Sequence, residues 1–230
     1  MRQMGCIVEK YMEGPGKTSP SVQVFINPDT RKISVMSTHE QLLSDQVYIG
    51  CTFPCNEVYR AKLNKLGTKA GEELAKRGVV GNFSMDFISV PKDHGFMDVK
   101  ALELNLRTGG TTHPLMTLKY LTNGNYDVEQ GKFFGEDSDH PKYYIASDNV
   151  RSEAYRGLLP SDLMNIFRGS ALMWNPDLGK GAVFHLIGAL SEYGKCGVTC
   201  VGDSLEEAKQ LYSKVIATLD NGTKPETCEE

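Results

Sequence analysis

Three polar residues alternate with leucines in the segment ALELNLRTGG, residues 101–110. Glu103, Asn105 and Arg107 lie two positions apart, and side chains two apart in a β-strand share a face. A strand here would therefore present an acid, an amide and a guanidinium on one side, at intervals of about 7 Å. The same alternation predicts that the intervening leucines enter the core: Leu102, Leu104 and Leu106.

A second strand precedes this one and supplies another acid. NFSMDFISV (82–90), the turn PKDHGF and MDVKALELNLR (97–107) together are typical of a β-hairpin. If the turn closes symmetrically, Asp86 pairs with Glu103, and directly paired residues point to the same side of a sheet.

Two opposed carboxylates repel one another, and a divalent cation between them would remove that repulsion. Carboxylate and amide oxygens are the ligands that Mg²⁺ and Mn²⁺ prefer, often together with substrate phosphates. Arg107 could bind a phosphate or a carboxylate with its two-pronged guanidinium. Gly109 and Gly110 would let the backbone approach a ligand closely. The alternative interpretation is a solvated sheet face that merely carries polar residues.

The elements that must position this hairpin are visible along the first half of the chain. Residues 5–12 read as a short strand, and SVQVFI (21–26) and KISVMS (32–37) flank the turn signal NPDTR. Residues 56–77 have the apolar spacing of a helix, although Gly67 and Gly71 each weaken it by about 1 kcal/mol relative to Ala. THPLMTLKYL predicts another helix, with Pro114 in its first turn.

The second half begins after a polar, turn-rich stretch at 122–141, which we interpret as the main loop or boundary. SDLMNIF is helical in pattern, and strands are expected near 182–190 and 195–202. A final helix opens at Ser204, which forms a capping box with Glu207.

The order of elements favours an α+β fold with a largely antiparallel sheet and flanking helices, followed by a smaller α/β segment. We expect one domain over 1–125, a C-terminal α/β domain over 140–222 and a tail over 223–230.

Bulk composition excludes several classes of protein. The 230 residues are 40% hydrophobic and 23% charged, with a formal net charge of -4. This mildly acidic balance argues against nucleic-acid or anionic-membrane binding, which needs concentrated basic surface. No run of about 18 apolar residues is present, and MRQMGCIVEK has too short an apolar stretch for a secretory signal. We therefore expect a cytoplasmic protein with neither nucleic acid nor membrane as a partner.

Cysteines and histidines give no clear metal motif. Cys196 and Cys200, in KCGVTC, would lie about 13 Å apart on one strand, too far to share a zinc ion, and free thiols are expected. His113 either lines a pocket or caps and packs a helix start. His185, in the apolar VFHLIG, is typical of a core histidine whose hydrogen bonds are satisfied within the protein.

The hairpin residues resemble a known family. SMDFISV followed by ALELNLRTGGTTHP is similar to the metal-binding hairpin of the ATP-grasp ligases, which have an acid in one strand and E-x-N-x-R in the next. CIVEKYMEG resembles the hinge segment of these enzymes, and SPSVQVFI and ISVMSTHEQLL follow in the expected order. The resemblance covers residues 5–120. Within the family, the carboxylate–amine ligases of the pheganomycin-type peptide ligase group are nearest, and residues 181–208 resemble their C-terminal region.

The resemblance implies an enzyme that uses ATP and Mg²⁺ (or Mn²⁺) to join a small-molecule carboxylate to an amine through an acyl-phosphate. It implies the metal ligands Asp86, Glu103 and Asn105, with Arg107 as the catalytic residue that steadies the phosphoryl group. It also implies a nucleotide site, formed by four residues: Glu9, Lys10, Met12 and Gln41.

The resemblance begins at the hinge, so the N-terminal parts of an ATP-grasp enzyme have no counterpart here. GPGKTS at 14–19 does not replace them, because its spacing and position do not match a phosphate-binding loop. Three hypotheses follow. The chain is the C-terminal part of a ligase and inactive alone, a subunit that requires a partner polypeptide, or a degenerate module with a structural or regulatory role.

Overall fold

The computed structural model describes residues 8–92, 96–136 and 138–223. The strands are, in chain order, β1 (Pro20–Ile26), β2 (Ile33–Ser44), β3 (Val47–Phe53), β4 (Gly81–Pro91), β5 (Met97–Asn105), β6 (Asn125–Asp127), β7 (Lys132–Phe134), β8 (Pro141–Arg151), β9 (Gly181–His185) and β10 (Lys195–Gly202). The helices are α1 (Glu57–Lys76), α2 (Thr112–Thr122), α3 (Pro160–Ile166), α4 (Leu190–Tyr193) and α5 (Leu205–Gly222).

One curved sheet runs through these elements. Its strands are ordered β5-β4-β1-β2-β3-β8-β10-β9, and β6 and β7 form a small ribbon attached to β8. Within the described residues, every ladder between these strands is antiparallel. Helix α1 packs on β1 and β2, and α5 packs on β8 and β10. The predicted α+β class with an antiparallel sheet and flanking helices is confirmed.

Most predicted elements are present, with differences at their ends. β2 extends to Ser44 and is followed by β3, which the sequence pattern did not indicate. The strand expected near 182–190 ends at His185, because Leu186 adopts a positive φ of 53° and a 3-10 turn follows. Of the strand expected over 5–12, residues 8–12 have no regular structure and the remainder lies outside the described residues.

The prediction for the three leucines is wrong. Leu102, Leu104 and Leu106 are 44%, 45% and 55% exposed. Leu102 and Leu104 lie at the end of β5 and Leu106 directly follows it, and β5 has β4 as its only neighbour in the described sheet. Alternation cannot show whether another element covers a face at the sheet edge, and it does not anticipate the irregular pairing at Leu102.

The two domains expected at 1–125 and 140–222 share this sheet. β3 of the first segment pairs with β8 of the second, with Gly50 opposite Ser147. The stretch between the segments carries β6 and β7 rather than an unstructured loop. We retain the division as a proposal about chain organisation.

A network of charged residues surrounds the start of α5. The buried Lys142 donates to Asp203 at 2.6 Å, and Lys180 donates to Glu207 at 2.8 Å. Ser204 caps α5 by accepting from the Glu207 amide, while the Glu207 carboxylate accepts from the Asp203 amide. These contacts fix the start of α5 against β8 and against the residue that precedes β9. No described helix is long and apolar enough to cross a membrane.

The two glycines of α1 allow the helix to approach the sheet. A Cβ added at Gly67 would lie 2.9 Å from Val22 Cγ1, and one at Gly71 would lie 2.8 Å from Ile33 Cγ2. Both neighbours are β-branched and cannot swing away easily. The two glycines therefore lower the helix propensity of α1, and in return they allow it to pack closely on β1 and β2.

We expect Gly67→Ala to destabilise the protein by about 1–3 kcal/mol, because overpacking outweighs the gain in helix propensity of about 1 kcal/mol. Urea unfolding followed by circular dichroism measures this change. Glu72→Ala, at an exposed position of the same helix, is the matched control and should be neutral or slightly stabilising. An equally stable Gly67→Ala variant would show that the packing is loose.

Candidate functional site

Around the acidic residues, β4 and β5 pair in the register that the sequence predicted for the hairpin. Asp86 pairs with Glu103, and Ser84 pairs with Asn105. The register then shifts by one residue, because Leu102 forms a bulge between the pairs Asp86–Glu103 and Phe87–Ala101. The bulge leaves the acidic pair on one face of the sheet.

A row of residues crosses four strands on this face. His39 of β2 pairs with Ser21 of β1, Ser21 pairs with Asp86, and Asp86 pairs with Glu103. Gln41 lies two residues after His39 and therefore on the same face. Because Ser21 is small, Gln41 reaches over it, and Gln41 Nε2 donates to Asp86 Oδ1 at 2.7 Å.

Asn105 joins the two carboxylates. Its Nδ2 donates to Asp86 Oδ2 at 2.9 Å and to Glu103 Oε1 at 2.9 Å. The electropositive amide nitrogen thus lies between the acids, which is the position that a bound cation would take. Rotation of the amide by half a turn would direct its oxygen there instead.

The pKa of Asp86 reflects the repulsion expected between the two acids. Burial, followed by the charge of Glu103, raises the pKa of Asp86 to about 6. Hydrogen bonds from Gln41 and Asn105 and the charge of Arg107 act in the opposite direction. A carboxylate that is costly to ionise in the free protein is a feature of functional sites, because a bound cation would remove that cost.

Arg107 lies at the exposed end of the hairpin, next to this cluster. Its Nη2 is 3.4 Å from Asn105 Oδ1, and its Nη1 donates to the Thr108 carbonyl at 3.1 Å. After Arg107, Gly109 donates its amide to Thr112 Oγ1, and Thr112 donates to the buried Gln23. The loop that leads into α2 is therefore held beside the guanidinium.

The donor set fits a magnesium ion whose coordination shell is completed by phosphate oxygens. Two carboxylates and one amide face a common position, and Mg²⁺ usually binds one or two carboxylates plus substrate oxygens. The described part of the chain contains no group of three or more His, Cys, Asp or Glu side chains suited to a metal. The cluster is thus incomplete as an all-protein metal site and suited to a metal that arrives with a nucleotide.

Four of the residues predicted for metal and phosphate lie together, namely Asp86, Glu103, Asn105 and Arg107, and Gln41 joins them through Asp86. Three others, Glu9, Lys10 and Met12, lie on the segment before β1. Glu9 and Lys10 are exposed, and Met12 is half-buried. Among the described residues, the hydrogen bonds to the two carboxylates come from Gln41 and Asn105 and from none of these three, so their role at the adenine stays a prediction.

A cavity of about 270 Å³ lies beyond Gly110 and was not indicated by the sequence pattern. Its walls come from β3, β8, β9 and the start of α2. Tyr48 and Asp148 both line it, and burial, followed by the neighbouring Cys51 thiol, raises the pKa of the Tyr48 hydroxyl. His185 is half-buried and lines the cavity, and its Nδ1 has no hydrogen-bond partner among the described residues. The expectation of a satisfied core histidine is therefore wrong.

Comparison with known families agrees with this geometry. Residues 1–129 match the family model for the IQCH-like ATP-grasp domain, and residues 162–215 match that for the PGM1 C-terminal domain. The first match covers more than half of the chain, which therefore belongs to the ATP-grasp family. The resemblance of the hairpin to ATP-grasp ligases is confirmed.

One relative is an L-propargylglycine–L-glutamate ligase from Streptantibioticus cattleyicolor, with 30% identity over 225 residues. The match covers 98% of this chain and 45% of that ligase. The chain thus spans about half the length of the relative.

Solved structures share the fold. The ATPase subunit of phosphoribosylaminoimidazole carboxylase from Aquifex aeolicus superposes with a TM-score of 0.55 at 15% identity, covering 92% of this chain and 58% of that one. An N5-carboxyaminoimidazole synthetase from Staphylococcus aureus, complexed with ADP, superposes with a TM-score of 0.54 at 12% identity. This match covers 93% of this chain and 52% of that one.

The acidic pair makes a prediction about stability and pH. The pKa of Asp86 is about 6 in the folded protein, compared with 3.8 for an unperturbed aspartate. The folded state therefore keeps the Asp86 proton up to a higher pH than the unfolded state does. As a result, the free energy of unfolding of the wild type falls as pH rises between these two values. We expect Asp86→Asn to be more stable than wild type by about 1–2 kcal/mol at pH 7.5, allowing for partial solvent screening.

Urea unfolding in EDTA at pH 4 and pH 7.5 tests this expectation. The difference should shrink toward zero near pH 4, where Asp86 is protonated. Asp177→Asn, on an exposed loop, is the control and should show no such pH dependence. A destabilised Asp86→Asn at neutral pH would mean that the hydrogen bonds outweigh the repulsion.

Proposed function

We propose that this chain carries the metal and phosphate half of an ATP-grasp ligase active site and binds Mg-ATP, or Mn-ATP, to join a carboxylate to an amine. The observation that carries the proposal is the pairing of Asp86 with Glu103, with the Asn105 amide between them. A structural ion pair would place opposite charges there. Two like charges held together instead favour a bound cation.

In the proposed reaction, the substrate carboxylate attacks the γ-phosphorus of ATP, which gives an acyl-phosphate and ADP. The amine then attacks the acyl carbon, loses a proton and expels inorganic phosphate, which leaves an amide. When bound, Mg²⁺ would neutralise charge on the phosphate oxygens. The protein's own contribution is positioning and charge stabilisation, and no side-chain nucleophile is needed.

Each residue of the cluster has a role in this proposal. Asp86 and Glu103 provide carboxylate oxygens, and Asn105 provides its amide oxygen after rotation. Gln41 holds Asp86 in place through the 2.7 Å hydrogen bond. Arg107 stabilises the transferring phosphoryl group, because its guanidinium is exposed and bonded only to a carbonyl and an amide oxygen among the described residues.

The segment before β1 completes the proposed nucleotide site, with Glu9, Lys10 and Met12 at the adenine. The relative from S. cattleyicolor is a ligase by name, and the S. aureus structure contains ADP. These names support ATP as the cofactor and small carboxylates and amines as substrates.

A second role is favoured by a specific observation. Leu102 and Leu104, on the terminal strand of the described sheet, and Leu106, directly after it, are exposed beside the acidic pair. Exposed leucines next to a functional cluster suit a module that acts together with another polypeptide segment. In this role the chain would bind nucleotide or support the fold without turning over substrate alone.

We expect the chain to bind Mn²⁺ at least tenfold more tightly with ATP present than without, because phosphate oxygens complete the coordination shell. Electron paramagnetic resonance of free Mn²⁺ during titration measures this. Glu103→Gln should lower the affinity for Mn-ATP at least tenfold. Asp98→Asn, which removes one charge from the same strand, should change it less than twofold.

Equal affinity of Glu103→Gln and wild type would remove Glu103 from the metal shell. Absence of Mn-ATP binding by the wild-type chain would contradict nucleotide binding by this chain alone. For turnover, the probes are L-propargylglycine, L-glutamate and Mg-ATP, with amide formation followed by mass spectrometry. Glu103→Gln should abolish any turnover observed.

A further inference from the structure

The cavity beyond Gly110 adjoins the loop that joins Arg107 to α2, and the Tyr48 ring forms part of its wall. A Cβ added at Gly110 would lie 2.4 Å from that ring, so the loop after Arg107 packs directly against it. At about 270 Å³ the cavity is somewhat smaller than the sites that hold drug-sized ligands. It suits a molecule of amino-acid size. Its lining includes Tyr48, Gly110, His113, Ser147, Asp148 and His185.

Two irregularities of the sheet build the far wall. On β8, Asp148 and Asn149 lie opposite the single residue Gly197 of β10, because Ser147 pairs with Val198 and Val150 pairs with Cys196. Such a bulge redirects side chains from their regular alternation.

Gly197 makes the second irregularity possible. It pairs with His185 of β9, and a Cβ at this position would lie 2.2 Å from His185 Nε2. The imidazole therefore occupies the space above Gly197, in the direction of β8. Gly197 thus lies between the strand that carries His185 and the bulge that carries Asp148.

Two polar atoms of these residues have no partner in the part of the chain that the structure describes. Asp148 Oδ1 and His185 Nδ1 are buried and have no hydrogen-bond partner among the described residues. The rings of His113 and His185 lie 4.3 Å apart between centroids. Burial, followed by the charge of His113, lowers the pKa of His185 to about 4, so this imidazole is neutral near pH 7. A buried carboxylate oxygen and a neutral imidazole nitrogen without partners point to a ligand.

The charge of the surroundings decides the kind of ligand. Asp148 lines the cavity, and its lining includes neither Lys nor Arg. A carboxylate ligand would meet this acid without a cation to pair with. A primary ammonium group carries three N–H donors, which can serve the Asp148 oxygen and an imidazole nitrogen together. A metal ion held by protein side chains alone is not favoured, because the described residues contain no suitable group of three ligands.

We propose that this cavity binds the amine substrate of the ligase, a small molecule with a primary ammonium group that pairs with Asp148 and contacts His185. The assignment of this ligand as a substrate rests on the proposed ligase function. The ammonium site would then adjoin the loop that joins Arg107 to α2.

Nuclear magnetic resonance of the full chain tests this proposal, with the imidazole ¹⁵N and ¹H signals of His185 as reporters. L-alaninamide is the probe, because it carries a primary ammonium and no carboxylate. N-acetyl-L-alanine, with a carboxylate and no ammonium, is its matched opposite. We expect saturable shifts of the His185 signals with L-alaninamide and none with N-acetyl-L-alanine.

Substitutions in the cavity wall test whether L-alaninamide binds at Asp148 and His185. Asp148→Asn should weaken L-alaninamide binding at least tenfold, whereas Asp177→Asn, outside the cavity, should change it less than twofold. His185→Gln provides a second test if Asp148→Asn misfolds, and isothermal titration should then show at least fivefold weaker binding. No shift with L-alaninamide, a shift with N-acetyl-L-alanine alone, or equal binding by wild type and a folded variant would overturn the proposal.

A Mn-ATP titration on the same samples separates the two proposals. Binding of Mn-ATP without binding of L-alaninamide would overturn the amine site and leave the nucleotide site intact. Binding of L-alaninamide without Mn-ATP would keep the ammonium site but overturn its assignment as the amine site of a ligase.

Discussion

The opposition of Asp86 and Glu103 is the constraint around which this half of the molecule is organised. Paired positions of an antiparallel sheet hold their side chains on one side, so the fold cannot separate these two charges without changing register. The neighbouring polar groups respond to this pair. Asn105 donates to both acids, Gln41 donates to Asp86, and Arg107 lies at the end of the same row. The free protein tolerates the repulsion, and a cation bound with phosphate would relieve it.

Small residues decide where polar side chains can reach in this sheet. Ser21 lets Gln41 extend to Asp86, Gly110 lets a loop pack on Tyr48, and Gly197 gives the His185 ring its place. Gly67 and Gly71 do the same for the helix that supports the hairpin. The proposed sites and the packing that supports them thus depend on glycine and serine positions as much as on the residues that carry chemistry.

Much of the site could be predicted from the sequence because it depends on local periodicity. Alternation placed Glu103, Asn105 and Arg107 on one face, and a short turn aligned them with Asp86. The exposure of Leu102, Leu104 and Leu106 could not be predicted, because it depends on which strand ends the sheet. The cavity around Asp148 and His185 depends on a bulge and on strands far apart in the chain. No spacing in the sequence reports such pairing, and β3 was missed for the same reason.

The terminal position of β5 has a further consequence for how the protein behaves at high concentration. Within the described part of the chain, no further strand lies beside β5, and the leucines at its end are exposed, so β5 is a template for another chain to add to by backbone hydrogen bonding. Lys100 and Glu103 on β5 and Arg107 just after it place charges there, and charges of this kind discourage strand addition. The carboxylate proposed to bind metal would therefore also protect the protein from self-association. Selection on this residue would then serve colloidal stability as well as chemistry.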